Sequence, residues 1–261
     1  MIKFFRKIRQ KLLNDNNFSK YLLYAIGEIL LIVLGIMIAI QLGNLNQNRK
    51  DSLREQRILV DLKNEVESNL NSIDRIIFEK QNIISICSKF LESTGKDTVW
   101  NQAQNFDSLL VKTIVSGWKF NPENAVLLEL INSGKLDLIK SKELRYLLTS
   151  IPGHISKLQY EDEVVINDLH NIYIPFLSKN YSIRNTFRYD AGILSEKQRK
   201  LLNQIDLSQF NSSPEKLLQN PQFENNIAIQ LLWVNFSLNL YYPLKEMYNE
   251  VLVLIRNQLE K

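Results

Sequence analysis

Between Tyr21 and Gly43 the chain reads YLLYAIGEILLIVLGIMIAIQLG, an apolar run whose strongly polar side chains are Glu28 and Gln41. About 20 apolar residues at a 1.5 Å rise cross a hydrocarbon core of roughly 30 Å, so the run predicts a transmembrane helix over residues 21–43. Tyr21 and Tyr24 stand at one end, where amphipathic rings prefer the membrane interface. The run exceeds the apolar core of a secretory signal peptide, and Ile40-Gln41-Leu42-Gly43 is a poor cleavage site. An uncleaved signal anchor is the resulting expectation.

Past the span, residues 45–93 contain neither Pro nor Gly, and Gly95 follows as a stop. They predict one long helix continuing from the span. Leu59, Leu62, Val66, Ile73, Ile76, Ile83, Cys87 and Phe90 keep three- and four-residue steps, while Leu70, Ile77, Ile84 and Leu91 widen the seam. Asn69 and Lys80 interrupt it. A seam this wide suits a helical bundle better than a two-stranded coiled coil.

Further helices are predicted over residues 102–117, then from Pro122 to Ser133 with Asn121 as N-cap and Gly134 as the terminating glycine. Leu136, Leu138 and Ile139 would anchor the connection that follows. Ser141 caps a helix to about Ser150, and Pro152-Gly153 reads as a break before a longer helix to Asn180, kinked near Pro175. Residues 181–194 lack helical periodicity and read as a short hairpin or ordered loop. Ser195 with Gln198 forms a capping box, and Ser213-Pro214 and Asn220-Pro221 open two more helices. The last helix runs over about 221–260, with Ile227, Leu231, Val234, Leu238 and Tyr241 on one face and a kink at Pro243. No segment alternates with the two-residue period of a strand. The fold class is therefore all-α: a tail over residues 1–20, the span over 21–43, and a mostly helical bundle domain over 44–261.

Charge changes this picture only at the N-terminus. Residues 1–20 hold Lys3, Arg6, Lys7, Arg9, Lys11 and Lys20 against Asp15, a balance of +5, whereas the remaining chain carries −1. The basic pI belongs to a membrane-flanking tail, which excludes a nucleic-acid surface. Ile2, Phe5, Ile8 and Leu12 fall near helical spacing among the cations, so Lys3, Arg6, Lys7 and Lys11 are candidate contacts to an anionic inner leaflet. A plain topology signal explains the same residues. Arg49, Lys50, Arg54, Arg57 and Lys63 follow the span, so the positive-charge bias is slight. A short, nearly unopposed basic tail favours a cytoplasmic N-terminus and an outward C-terminal domain.

Glu28 is the costly residue of the span, at seven residues past Tyr21 and so about 10 Å deep. It shares a helix face with Gly35, and Ala39 and Gly43 continue nearby. Small residues at that spacing let helices approach closely, which makes Glu28, Gly35, Ala39 and Gly43 a candidate interface with a second copy or another membrane protein. A shallow carboxylate reaching the headgroups is the simpler alternative.

Two stretches carry a resemblance: MIKFFRKIRQKLL followed by KYLLYAIGEILLIVLGIMIAIQLGNLNQNRK (residues 20–50), and ELINSGKLDLIKSKELR (residues 129–145). Together they resemble a family of bacterial single-pass membrane proteins known as a domain of unknown function. The resemblance covers the tail, the anchor and the middle of the domain. It implies a bacterial inner-membrane location, and it transfers no activity, ligand or catalytic residue.

Reactive constellations are sparse. Walker, dinucleotide, H-E-x-x-H and G-x-S-x-G patterns are missing from the sequence. Cys87 excludes an intramolecular disulfide and reads as a buried small apolar residue. His170 with Asp162 or Glu163 has two-turn spacing for a metal, but the surrounding acidic run fits a solvated surface better. Ser133-Gly134-Lys135 lacks the second glycine of a phosphate loop. Trp118, Phe120, Trp233, Phe236, Tyr241 and Tyr242 fit a core or a ligand groove. No catalytic residue, metal or cofactor is expected. The expected function is a membrane-anchored, noncatalytic envelope module for protein interaction or scaffolding. A sensory or ligand-binding domain signalling through the anchor is the alternative, and an enzyme is the remaining one.

If the small-residue face packs helices together, Gly35→Leu shifts detergent-solubilised oligomers to smaller species in size-exclusion chromatography. An unchanged elution profile removes that face as an interface.

Overall fold

The computed structural model describes residues 18–96, 103–189, 195–210 and 213–260. The chain divides into two units, Met1–Arg57 and Ile58–Lys261. Helix α1 runs from Phe18 to Ser93, as the run without helix breakers predicts. Gly95, at φ 67°, takes the left-handed conformation that ends it. Within the first unit, α1 carries an 18-residue window long and apolar enough to cross a membrane, and none of that window is buried. A core helix of the same composition would bury it.

The second unit is a helical bundle, with no strand among the described residues. It contains α2 (Ala103–Ile114), α3 (Ala125–Asn132), α4 (Lys142–Asp168), α5 (Ile174–Asn180), α6 (Glu196–Leu202), α7 (Pro214–Leu218) and α8 (Pro221–Leu259). Its frame is α1, α4 and α8. Lys80 meets Asp162, Asn69 meets Tyr248, Ser150 meets Met247 and Gly95 meets Leu218, so α1 and α4 run parallel and α8 runs antiparallel to both.

Apolar side chains of these helices form two clusters. One gathers Leu59–Ile77 of α1, Leu144–Leu158 of α4 and Leu238–Ile255 of α8, closed by Phe120, by Leu127 and Leu130 of α3, and by Ile139. The other gathers Ile83–Phe90, Val165–Tyr181 and Phe223–Val234, closed by Phe106 and Leu110 of α2 and by Leu217 and Leu218 of α7. The predicted seam of α1 is therefore the core face. Asn69 and Lys80, its apparent interruptions, are equally buried.

Two boundaries differ from expectation for identifiable reasons, and α2 ends at Ile114 rather than near residue 117. Helix α3 begins at Ala125 rather than Pro122. Asn69 holds the preceding segment non-helical: its Nδ2 donates to the Glu123 carbonyl at 2.6 Å and its Oδ1 accepts from the Glu123 N–H at 2.8 Å. The first turn of α3 is then capped from α1, where the Glu65 carboxylate accepts from Val126 N (2.7 Å) and Leu127 N (3.2 Å). Burial raises the Glu65 carboxyl above its ordinary range, and these two N–H groups oppose the shift.

Pro152-Gly153 does not break α4, which Ser141 caps through Leu144 N. Leu148, Ile151, Ile155 and Leu158 bury one continuous face across the proline, and that packing outweighs one lost backbone bond. The helical run reaches Asn180 as read, and just before Pro175 it widens into a π turn over Leu169–Tyr173, which accommodates the missing proline N–H.

The remaining starts behave as read: Ser195 and Gln198 form the capping box, Ser213 caps α7 and Asn220 caps α8. Helix α8 continues through Pro243. In place of the short hairpin that residues 181–194 allowed, Ile183–Arg188 form a 3-10 helix, while 190–194 lie outside the described residues.

Asn69→Asp keeps the acceptor for Glu123 N–H but sets a carboxylate against the Glu123 carbonyl. It is expected to cost about 2–3 kcal/mol, read as a lower thermal midpoint of the detergent-solubilised chain. An unchanged midpoint contradicts the assigned role of Asn69.

Candidate functional site

Three features of the described residues bear on function: a buried polar node, an open groove along α1, and an uncharged stripe on α8. The node centres on Asp162, whose side chain is fully buried. Its Oδ1 accepts from Lys80 Nζ at 2.9 Å and Ser237 Oγ at 2.7 Å. Its Oδ2 accepts from Tyr241 OH at 2.5 Å and the Phe120 N–H at 3.3 Å. The Lys80 ammonium also stands 5.3 Å from the centroid of the Tyr241 ring. Burial pushes the Lys80 ammonium below the usual lysine range, opposed by the Asp162 charge. Burial raises the Tyr241 phenol, and the neighbouring carboxylate raises it further.

A lysine, a carboxylate, a serine and a tyrosine in contact resemble catalytic equipment, but a substrate has no access to them. Lys80 retains 1% exposure, and Asp162, Ser237 and Tyr241 retain none. Each donor is already committed to the carboxylate. The node's chemistry is charge neutralisation and alignment of three helices.

Several other buried polar groups are likewise engaged, whereas the buried Asn226 Nδ2 has no hydrogen-bond partner. Gln230 donates to Thr113 O (3.0 Å) and Ser116 Oγ (2.7 Å), closing the C-terminal end of α2. Cys87 lies against Gln230 Oε1 at 3.7 Å, and burial pushes its thiol up to about 12, so the thiolate nucleophile is suppressed at neutral pH. Tyr181 OH donates to Asp107 at 2.7 Å; burial raises the Asp107 carboxyl, and this bond opposes it. His170 is exposed while Asp162 faces the core, so the structure does not bring that pair together. Among the described residues no cluster of histidine, cysteine and carboxylate has the arrangement of a metal site.

The groove lies between α1 and the antiparallel stretch from Leu109 to Trp118, with a volume of about 530 Å³. Phe90 packs on Phe106 at one end, with ring centroids 5.3 Å apart, and Arg75 lies over Trp118 at the other. Ile83, Ile86, Leu109, Val115 and Trp118 give it an apolar lining, and Lys89 and Lys112 stand on opposite walls. Gly117 lets the wall close on α4: a Cβ there would meet Ile166 Cγ1 at 3.3 Å.

The aromatic group of the sequence is split among these features. Phe120 and Tyr241 are in the core and Trp118 lines the groove. Phe236 is exposed on α8, set edge-on to the half-buried Trp233. Tyr242 accepts from Gln81 Nε2 on another face. Ile229, Leu232, Phe236 and Pro243 are exposed along one outer face of α8, flanked by the half-buried Trp233 and Leu240, which pack against the apolar clusters. From Asn225 to Leu244 the helix has no charged residue. That sequence signal was readable, since a helical stretch of this length without charge has more apolar surface than one core face needs.

Of the candidate interface, Gly35 and Gly43 have open space where a Cβ would stand. Glu28 and Ala39 lie on the same helix. Lys3, Arg6, Lys7 and Lys11 lie outside the described residues. No family model, curated protein or solved structure matches the chain.

Asp162→Asn strands the Lys80 ammonium in the core and is expected to cost about 3–5 kcal/mol of stability. Adding Lys80→Met should recover part of that loss. Additive losses in thermal unfolding of the two single variants and the double variant would contradict a coupled pair.

Proposed function

We propose that this chain is a membrane-anchored, noncatalytic interaction module whose partner surface is the outer face of α8. The observation that carries the reading is the uncharged stripe through Ile229, Leu232 and Phe236, apolar side chains left exposed on an otherwise charged domain. Contiguous exposed apolar surface of this kind is characteristic of protein–protein contact. The sealed polar node argues in the same direction, because the residues best equipped for chemistry are committed to holding the bundle together.

In this reading the apolar window of α1 crosses a bacterial inner membrane. The basic tail, with Lys3, Arg6, Lys7 and Lys11, stays on the cytoplasmic leaflet, and the bundle faces the periplasm. The partner is another membrane or envelope protein, or a second copy joined through the Glu28, Gly35, Ala39 and Gly43 face. A sensory reading has one observation in its favour, the groove on the same helix that carries the apolar window.

Location and contact are tested together in living cells. Tyr146 is well exposed and the native Cys87 is buried, so Tyr146→Cys supplies a selective label. The expected results are modification by a membrane-impermeant maleimide in intact cells and a discrete adduct from a photo-crosslinker at Phe236. Labelling only after lysis reverses the orientation. A crosslinker at Phe236 that captures nothing overturns the α8 surface.

A further inference from the structure

We propose that the groove between α1 and the Leu109–Trp118 stretch binds a single-chain fatty acid, its carboxylate held by Lys89 and Lys112 and its tail laid toward Trp118. The inference is separate from the α8 surface, with which the groove shares no residue. It begins from an imbalance in the side chains. Elsewhere on the bundle, cations near the groove are engaged: Lys80 with Asp162, Lys119 with Glu163, Lys245 with Asp74, and Arg75 over Trp118. Among the described residues, the side chains of Lys89, Lys112, Asn82 and Ser85 make no hydrogen bond or ion pair, although all four line one groove.

Charge and shape then select the ligand. Lys89 adjoins Phe90 in sequence at the first end, and Lys112 lines the facing wall. Glu79 stands toward the other end with Phe78 and Trp118. An anionic head is attracted to the first end and repelled from the second. Between them Ile83, Ile86 and Val115 supply hydrocarbon, with Asn82 and Ser85 on the α1 wall beside it. The groove's volume of about 530 Å³ falls within the range of small-ligand sites. An extended peptide would need a backbone edge to pair with, and the walls are helices whose backbone bonds are internally satisfied. A flexible acyl chain needs no such edge.

The test uses the full chain in nanodiscs of neutral phosphatidylcholine, titrated with dodecanoate carrying a terminal bromine, which quenches nearby tryptophan emission. The expected result is saturable quenching that disappears in Trp118→Phe. Lys89→Gln with Lys112→Gln should weaken binding about tenfold, since each removes a charge-assisted contact to the carboxylate. The corresponding brominated alcohol should bind as weakly to the unaltered chain. Quenching that survives both lysine substitutions unchanged overturns carboxylate recognition. Absence of saturable quenching, with Lys89→Cys crosslinking to a second copy or to another protein, makes the groove a protein seat and overturns the proposal. The thermal midpoint of each variant separates lost binding from lost folding.

Discussion

A carboxylate with no exposure to water has to find its hydrogen bonds inside the protein, and the packing of this bundle is organised around one that does. Asp162 gathers donors from α1, from the segment after α2, and twice from α8. Neutralising a buried charge this way gains little net stability over a hydrophobic replacement, but leaving it incomplete costs several kcal/mol. The node therefore acts chiefly on register. Sliding α8 by one turn would withdraw Ser237 and Tyr241 together, and sliding α1 would withdraw Lys80.

The node's position gives this constraint its reach. Lys80 sits between Ile77 and Ile83, Asp162 between Leu158 and Val165, and Ser237 between Val234 and Leu238. Each frame helix passes from one apolar cluster to the other at the level of the node. Register fixed there is transmitted in both directions: to the Glu65 and Asn69 contacts that position α3, and to the Gln230 contacts that close α2. The groove wall inherits its position from the same place, because Trp118 lies two residues before Phe120, whose N–H is one of the four donors.

Local signals made much of this architecture legible. The breaker-free run of α1, the glycine stop at Gly95, the Ser195 box and the Ser-Pro and Asn-Pro starts are encoded within a few residues and appear as read. What sequence reading missed depends on partners far along the chain. Asn121-Pro122 is a sound local start that Asn69 and Glu65 override from more than fifty residues away. Pro152 is a sound local break that a continuous buried face overrides. Asp162, between Glu161 and Glu163, looked like part of a solvated acidic run, and Lys80 like a defect in a seam. Only their juxtaposition discloses that each is the other's compensation. The groove was hinted at by Trp118, but Lys89 and Lys112 carry no periodic signal that separates them from other surface lysines.

The central claim is that the node couples two apolar clusters into one cooperative unit. Native-state hydrogen exchange of the full chain in nanodiscs measures that coupling directly. The account predicts that amides near Leu148 in the first cluster and near Leu169 in the second open with the same free energy, and that Asp162→Asn makes them open separately. Two distinct opening energies in the unaltered protein, or a common loss in the variant with no separation, would contradict it.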